Sequence, residues 1–201
     1  MILSMEETCE SVTTRLIAIE TGFSVDSLKR GSIRGEDFAR IVDANNKLAE
    51  KKISYISKYN IKSDEAFSSL VINHKQKPFD IVFVDHLQEF RDEGYSRHDA
   101  ISKACSNMKS VARALDIPVV LLCQLSRGAE TNKDSKPLLS HLKESGDIEQ
   151  FADVVMLLYR ESYYNPKFLG NDFMTISFAK NRFGKTGHVD LQCDLSTATF
   201  Y

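Results

Sequence analysis

Apolar residues along the chain change their period twice. In the first third they recur at helical spacing. Val12, Leu16 and Ile19 share one face and Gly22 interrupts the pattern, which predicts a helix over residues 6–19. Glu6 and Glu7 stand at its start, where the helix dipole favours negative charge. A second helix is predicted over Glu36–Glu50, with Phe38, Ile41, Val42 and Leu48 on one face. Ile53–Ser57 alternates and predicts a short strand; Ser63-Asp64-Glu65 opens a further helix with Ser63 as its N-cap. The pattern then shifts to short unbroken apolar runs at Phe79–Asp85, Pro118–Gln124 and Val154–Tyr159. Between them lie a helical stripe (Ile101, Cys105, Met108, Val111, Leu115) and a helical patch near Leu138–Phe151. In the tail Met174, Ile176 and Phe178 alternate, Asn181–Gly187 is turn-like, and Val189, Leu191 and Cys193 alternate again.

Apolar strands alternating with helices predict an α/β fold with a mostly parallel sheet covered on both faces. The alternating tail adds an antiparallel hairpin at the C-terminal end. No repeat or low-complexity linker divides the chain, so residues 1–201 read as one domain. The longest apolar runs, Ile117–Cys123 and Val154–Tyr159, fall far short of the roughly 20 residues of a membrane helix. The N-terminus turns acidic by Glu6 without a basic region, which predicts no signal peptide and a cytoplasmic location. A net charge of −2 excludes a basic DNA-coating protein but leaves room for a local basic loop. Cysteines 9, 105, 123 and 193 have no C-x-x-C spacing, and the histidines are as dispersed, so neither group suggests a metal site.

In open parallel sheets ligands bind beyond the carboxyl ends of the strands. Three strand ends are polar here: Asp85, Gln124, and Tyr159-Arg160. A carboxylate closing a buried strand suits Mg²⁺ coordination at a nucleotide phosphate. A glutamine on the next strand suits sensing of the γ-phosphate or orientation of water. Strands also end wherever polarity begins, so each residue taken singly is more often simple punctuation. A metal-dependent nuclease built on Asp85 and His86 finds no supporting carboxylate cluster in the sequence.

The segments FDIVFVDHLQ, PVVLLCQLSR, LKESGDIEQFADVVMLLYR and AKNRFGKTG follow one another in the order and spacing of the bacterial replicative helicase DnaB. The chain resembles the RecA-like motor domain of that family over nearly its whole length, and the ESGDIEQFAD block argues against a recombination ATPase. ILSMEE resembles the strand-ending stretch of the family, and is followed by Arg15-Leu16, Gly31 and Glu36-Asp37-Phe38. The resemblance implies a RecA-like P-loop NTPase fold, ATP and Mg²⁺ as cofactors, single-stranded DNA as a partner, a hexameric ring, and primase or a helicase loader as further partners. It implies that Glu6 activates the attacking water and that Asp85 is the Walker B aspartate. Gln124 would couple nucleotide state to the DNA loops. Lys143, Glu144 and Gly146 would lie against the DNA backbone, with Lys143 standing where the family commonly has arginine. Lys180 and Arg182 would reach the neighbouring subunit's nucleotide, with Arg182 as the arginine finger.

The G-x-x-x-x-G-K-[S/T] loop that cradles phosphates is missing from the sequence. Gly184-Lys185-Thr186 is a decoy: Ala179 stands where the first glycine belongs, and the tripeptide sits in a hairpin turn. In the family that loop lies just upstream of the stretch resembling ILSMEE, and its strand lies between those matching 119–123 and 154–159. Without it those two strands are expected to close up, leave a gap, or accept a strand from elsewhere. The resemblance thus allows two functions: part of an ATP-driven 5′-to-3′ unwinding motor, or a non-catalytic remnant or regulator that joins helicase subunits or binds single-stranded DNA.

Overall fold

The computed structural model describes residues 1–126, 136–142, 145–165, 167–168, 170 and 172–201. Two four-stranded sheets organise it. The first is wholly parallel and contains β1 (Ile2–Ser4), β2 (Tyr55–Ser57), β3 (Val82–Asp85) and β4 (Val119–Leu121), in the order β2-β1-β3-β4. The second is antiparallel, running β5 (Val154–Arg160), β6 (Phe173–Asn181), β7 (Gly187–Asp194) and β8 (Thr199–Phe200) in sequence order.

The helices are α1 (Cys9–Thr21), α2 (Val25–Lys29), α3 (Glu36–Glu50), α4 (Ser63–Gln76), α5 (Arg97–Leu115), α6 (Ser145–Phe151) and α7 (Glu161–Tyr164). α5 buries Ile101, Cys105, Met108 and Val111 along the predicted stripe. They meet Leu3, Val82 and Val84 of the parallel sheet and Leu70 of α4 in one core. Side chains of this size contribute about 1.5–3 kcal/mol each when fully buried. Gly22 ends α1 in the left-handed region at φ 74°, where a side chain would be strained.

Four expectations change. The first helix begins at Cys9, not at residue 6: Thr8 caps it, accepting the Ser11 N–H, and this leaves Glu6 and Glu7 in the preceding loop. The predicted apolar face of α3 is only partly covered, with Phe38 and Val42 exposed and Ala44 buried instead, because α3 packs mainly on α1. Ser63 is the first residue of α4 rather than its cap. Its N–H donates to the buried Asp92 carboxylate at 3.3 Å, and its hydroxyl accepts from Asn107 at 2.9 Å.

The fourth change concerns Val154–Tyr159, expected among the parallel strands. It pairs antiparallel with β6, so Val155, Leu157 and Tyr159 are buried while Val154, Met156 and Leu158 stay exposed. Among the described residues β4 and β5 share no ladder, and the sheet breaks between them. A gap is therefore the outcome here. Phe83 and Leu122 are exposed too, so the parallel sheet is not covered on both faces.

Asp92 is the polar keystone of the α4–α5 contact. It caps α4 and pairs with Lys103 of α5 at 3.3 Å, and Lys103 also reaches Asp64 at 2.6 Å. Replacing Asp92 with Ala leaves the Ser63 N–H buried without an acceptor. The expected loss is about 1–3 kcal/mol in denaturant-induced unfolding, and a variant as stable as the parent would refute that role.

Candidate functional site

The parallel register brings the carboxyl ends of β1 and β3 level. Ser4 stands opposite Asp85, and the Met5 N–H donates to the Asp85 carbonyl at 2.7 Å. This last bond carries the chain of β1 alongside Asp85 and delivers the Glu6 carboxylate to the same end of the sheet. Tyr55 and Tyr59 fasten the loop from the β2 side, their hydroxyls donating to the Glu7 carbonyl at 2.6 Å and the Glu6 carbonyl at 3.4 Å. The Glu7 side chain is held by Arg15 of α1.

Between the two carboxylates lies His86, almost wholly buried. Its Nδ1 is 3.0 Å from Glu6 Oε2 and 3.7 Å from Asp85 Oδ1. Its Nε2 is buried without a hydrogen-bond partner, and the carboxylate oxygen of Glu89 lies 3.8 Å away. One ligand atom from each of Glu6, Asp85 and His86 fits within 4.8 Å of the others. The carboxylate cluster that could not be seen around Asp85 and His86 in the sequence is thus completed by a residue about 80 positions away. Burial pushes the Asp85 carboxyl above its ordinary range; His86 opposes this, and the neighbouring Glu6 and Glu7 carboxylates add to it. A divalent cation would relieve that cost. Two carboxylates of which one is half-buried suit Mg²⁺, which takes one or two protein carboxylates and completes its shell with water and phosphate oxygens.

Gln124 follows β4 at the same end of the parallel sheet, with its side chain exposed. Its backbone is held by Gln88, a buried residue that sequence reasoning missed. The Gln88 Oε1 accepts the Gln124 N–H at 3.0 Å, and its amide nitrogen is 3.0 Å from Cys123 Sγ. The only signal for it was a glutamine three residues beyond Asp85, between Leu87 and Glu89. Immediately after Gln124, Leu125 forms a bridge to Leu142, and Ser126 donates to the His141 carbonyl at 2.7 Å. The strand end is thereby joined to the segment leading into residues 143–146. Lys143 and Glu144 lie outside the described residues. Gly146 is an exposed residue in the first turn of α6, not part of a loop, and the space a Cβ would fill there is open.

Arg160, at the third polar strand end, lies in the antiparallel sheet and pairs with Asp172 at 3.0 Å. It takes no part in the Glu6–Asp85 cluster.

Lys180 and Arg182 sit at the end of β6 and just beyond it, against α6. Lys180 donates to the Glu149 carbonyl. Arg182 NH1 lies 3.2 Å from Asp153 Oδ1, and NH2 donates to the Gln150 carbonyl at 2.8 Å. The other Asp153 oxygen is taken by Lys109 of α5. The last turns of α5 lead into β4, so this cluster lies toward the amino ends of the parallel strands. Arg182 therefore shares no partner with Asp85. Lys109 and Asp153 went unnoticed in the sequence because they are separated by 44 residues and belong to different elements.

The Lys109 ammonium, with Arg182 beside it, holds the Asp153 carboxyl below the ordinary carboxylate range. A depressed native value means that Asp153 stabilises the fold above the ordinary carboxylate pKa of about 3.9 and stops doing so as pH falls through the native value. Asp153→Asn should cost up to about 1 kcal/mol at pH 7, the scale of a partly exposed ion pair, and nothing once both states are protonated. Urea unfolding at pH 7 and at the acid limit checks this; an equal cost at both would remove the ionic explanation.

The DnaB-like helicase C terminal domain matches residues 1–201. The replicative DNA helicase DnaC of Bacillus subtilis is 32% identical over 193 residues, 94% of this chain and 42% of the relative. The replicative DNA helicase DnaB of Rickettsia felis is 38% identical over 164 residues, 80% of this chain and 33% of the relative. The chain thus spans less than half the length of these curated relatives. Among solved structures, one described as an ATPase domain superposes with a TM-score of 0.92 at 29% identity, covering 99% of this chain and 72% of that one. A DnaB-like replicative helicase, described with its interactions with primase, superposes with a TM-score of 0.91 at 29% identity, covering 99% and 49%. With the RecA-like sheet, the strand-end carboxylates and the sequence blocks all in agreement, the chain belongs to the DnaB-like helicase C-terminal domain family.

Proposed function

We propose that the chain serves as the motor portion of a replicative DNA helicase, in which ATP hydrolysis drives 5′-to-3′ translocation on single-stranded DNA and duplex unwinding. The observation that carries this reading is the convergence of Glu6 and Asp85 around buried His86, with Gln124 at the same end of the sheet. Glu6 is the exposed member, free to accept a proton from an attacking water while His86 orients its carboxylate. Asp85, with Glu6 beside it, would hold Mg²⁺, which when bound neutralises charge on the phosphate oxygens. Gln124, its backbone clamped by Gln88, is placed to pass a change at the phosphates through the Leu125–Leu142 bridge toward Lys143, Glu144 and Gly146 at the DNA. Lys180 and Arg182 lie away from their own Asp85, as side chains serving a neighbouring subunit's nucleotide in a hexameric ring must. Primase or a helicase loader is the further partner this reading implies.

The break between β4 and β5 favours a second reading, a non-hydrolysing partner of helicase subunits. A single-turnover assay on the 201-residue chain can discard this second reading. These residues hold no phosphate-cradling loop, and Asp85 and Glu6 cannot replace its several backbone donors, so the chain alone should show no ATP hydrolysis. Hydrolysis that disappears in Glu6→Gln would discard the non-catalytic reading.

The motor reading is tested in rings. Arg182→Ala, placed at the matching position of an intact relative, should lower turnover by roughly 10³–10⁵-fold at saturating nucleotide. Full turnover would remove Arg182 from the finger role. For DNA, Lys143→Ala in this chain should reduce the log–log salt slope of weak single-strand binding by about one unit. An unchanged slope in a filter or fluorescence titration would place the DNA contact elsewhere.

A further inference from the structure

α5 presents Ser106, Lys109, Ser110 and Arg113 at spacings of three, four and seven residues, which is one face of a helix. That face forms one wall of a cleft of about 240 Å³, and Gln150 and Arg182 line the other. Three cations therefore meet in one place on a chain whose net charge is −2. Asp153 is the single carboxylate paired with them among the described residues, and both its oxygens are used, one by Lys109 and one by Arg182. Arg113 is exposed and makes no ion pair among the described residues. Lys109 keeps two of its three N–H groups beyond the bond to Asp153.

We propose that Lys109, Arg113 and Arg182 form a binding site for the oxyanions of a polyphosphate chain. The proposal deepens the arginine-finger reading and rests on it for the source of the phosphates, a nucleotide carried by another subunit. It adds Lys109 and Arg113 as phosphate-binding residues. The geometry selects a compact, multiply charged ligand. The cations converge on a cleft from α5 and from the β6–β7 turn, whereas a nucleic-acid strand is followed by a row of cations along a groove. A protein carboxylate offers two oxygens, too few for the guanidinium of Arg113, the ammonium of Lys109 and the exposed edge of Arg182 together. Asp153 keeps the Lys109 and Arg182 charges side by side in the absence of ligand, where they would otherwise repel.

The test is calorimetric titration of the 201-residue chain with inorganic tripolyphosphate at low salt, alongside Arg113→Gln, Arg182→Gln and Lys52→Gln. Arg113 and Arg182 are at the surface, and Lys52 is a remote exposed cation. Loss of one charge-assisted contact should weaken binding by about tenfold in each arginine variant. Lys52→Gln should bind like the parent. The amide resonances of Ser106 and Ser110 should move on titration in the parent and stay in place in Arg113→Gln, a readout that a folding defect does not imitate. Absent binding, binding untouched by Arg113→Gln, or equal weakening by Lys52→Gln would overturn the site. A single-stranded oligonucleotide binding more tightly than tripolyphosphate with the same dependence on Arg113 would also overturn it, making the cleft a DNA contact. Tripolyphosphate binding lost in both arginine variants, together with full turnover in rings carrying Arg182→Ala, keeps the site and discards the finger reading. Poisoned rings with no tripolyphosphate binding do the reverse.

Discussion

The parallel register of β1 on β3 is the constraint on which the rest of the site depends. Leu3 opposite Val84 and Ser4 opposite Asp85 bring two strand ends level, and the Met5 N–H to Asp85 carbonyl bond extends that pairing by one residue. Three apolar side chains in this pair, Leu3, Val82 and Val84, are fully buried. A slip of one residue would turn the buried side chains of the displaced strand to the opposite face. The same slip would remove Glu6 from His86. Core packing and site geometry are therefore set by a single register, and neither can change without the other.

Around that pair the polar contacts hold backbone rather than create chemistry. Gln88 fixes the Gln124 amide, Tyr55 and Tyr59 fix the carbonyls of Glu7 and Glu6, and Asp92 fixes the start of α4. The groups suited to reaction, the Glu6 carboxylate and the Gln124 side chain, are left exposed. The backbone around the site is thus held by the protein's own hydrogen bonds.

The two clusters of charge stand at opposite ends of the sheet. Glu6, Asp85 and His86 present carboxylates at the carboxyl ends, while Lys109, Arg113 and Arg182 present cations toward the amino ends. Under the motor reading proposed above, these unlike surfaces would meet head-to-tail between successive copies.

Much of this was legible in the sequence for local physical reasons. The α5 stripe, the strand ending at Asp85 and the hairpin around Asn181–Gly187 follow from periods of 3.6 and 2 that neighbouring residues alone establish. The blocks around Asp85, Gln124 and Arg182 also identified the family, because their residues are contiguous. What tertiary structure alone decided was every relation between distant segments. Glu6 looked like a helix-start acid and became a partner of His86, because pairing with β3, not the helix dipole, sets where the loop after β1 goes. Val154–Tyr159 looked like another buried parallel strand and joined an antiparallel sheet, since an apolar run does not state which edge it will pair with. Lys109 and Asp153 carry no signal in the sequence, and Arg182 stands out there only through the family resemblance. They form one cluster because α5, the start of β5 and the end of β6 pack together, and sequence spacing carries no trace of that packing.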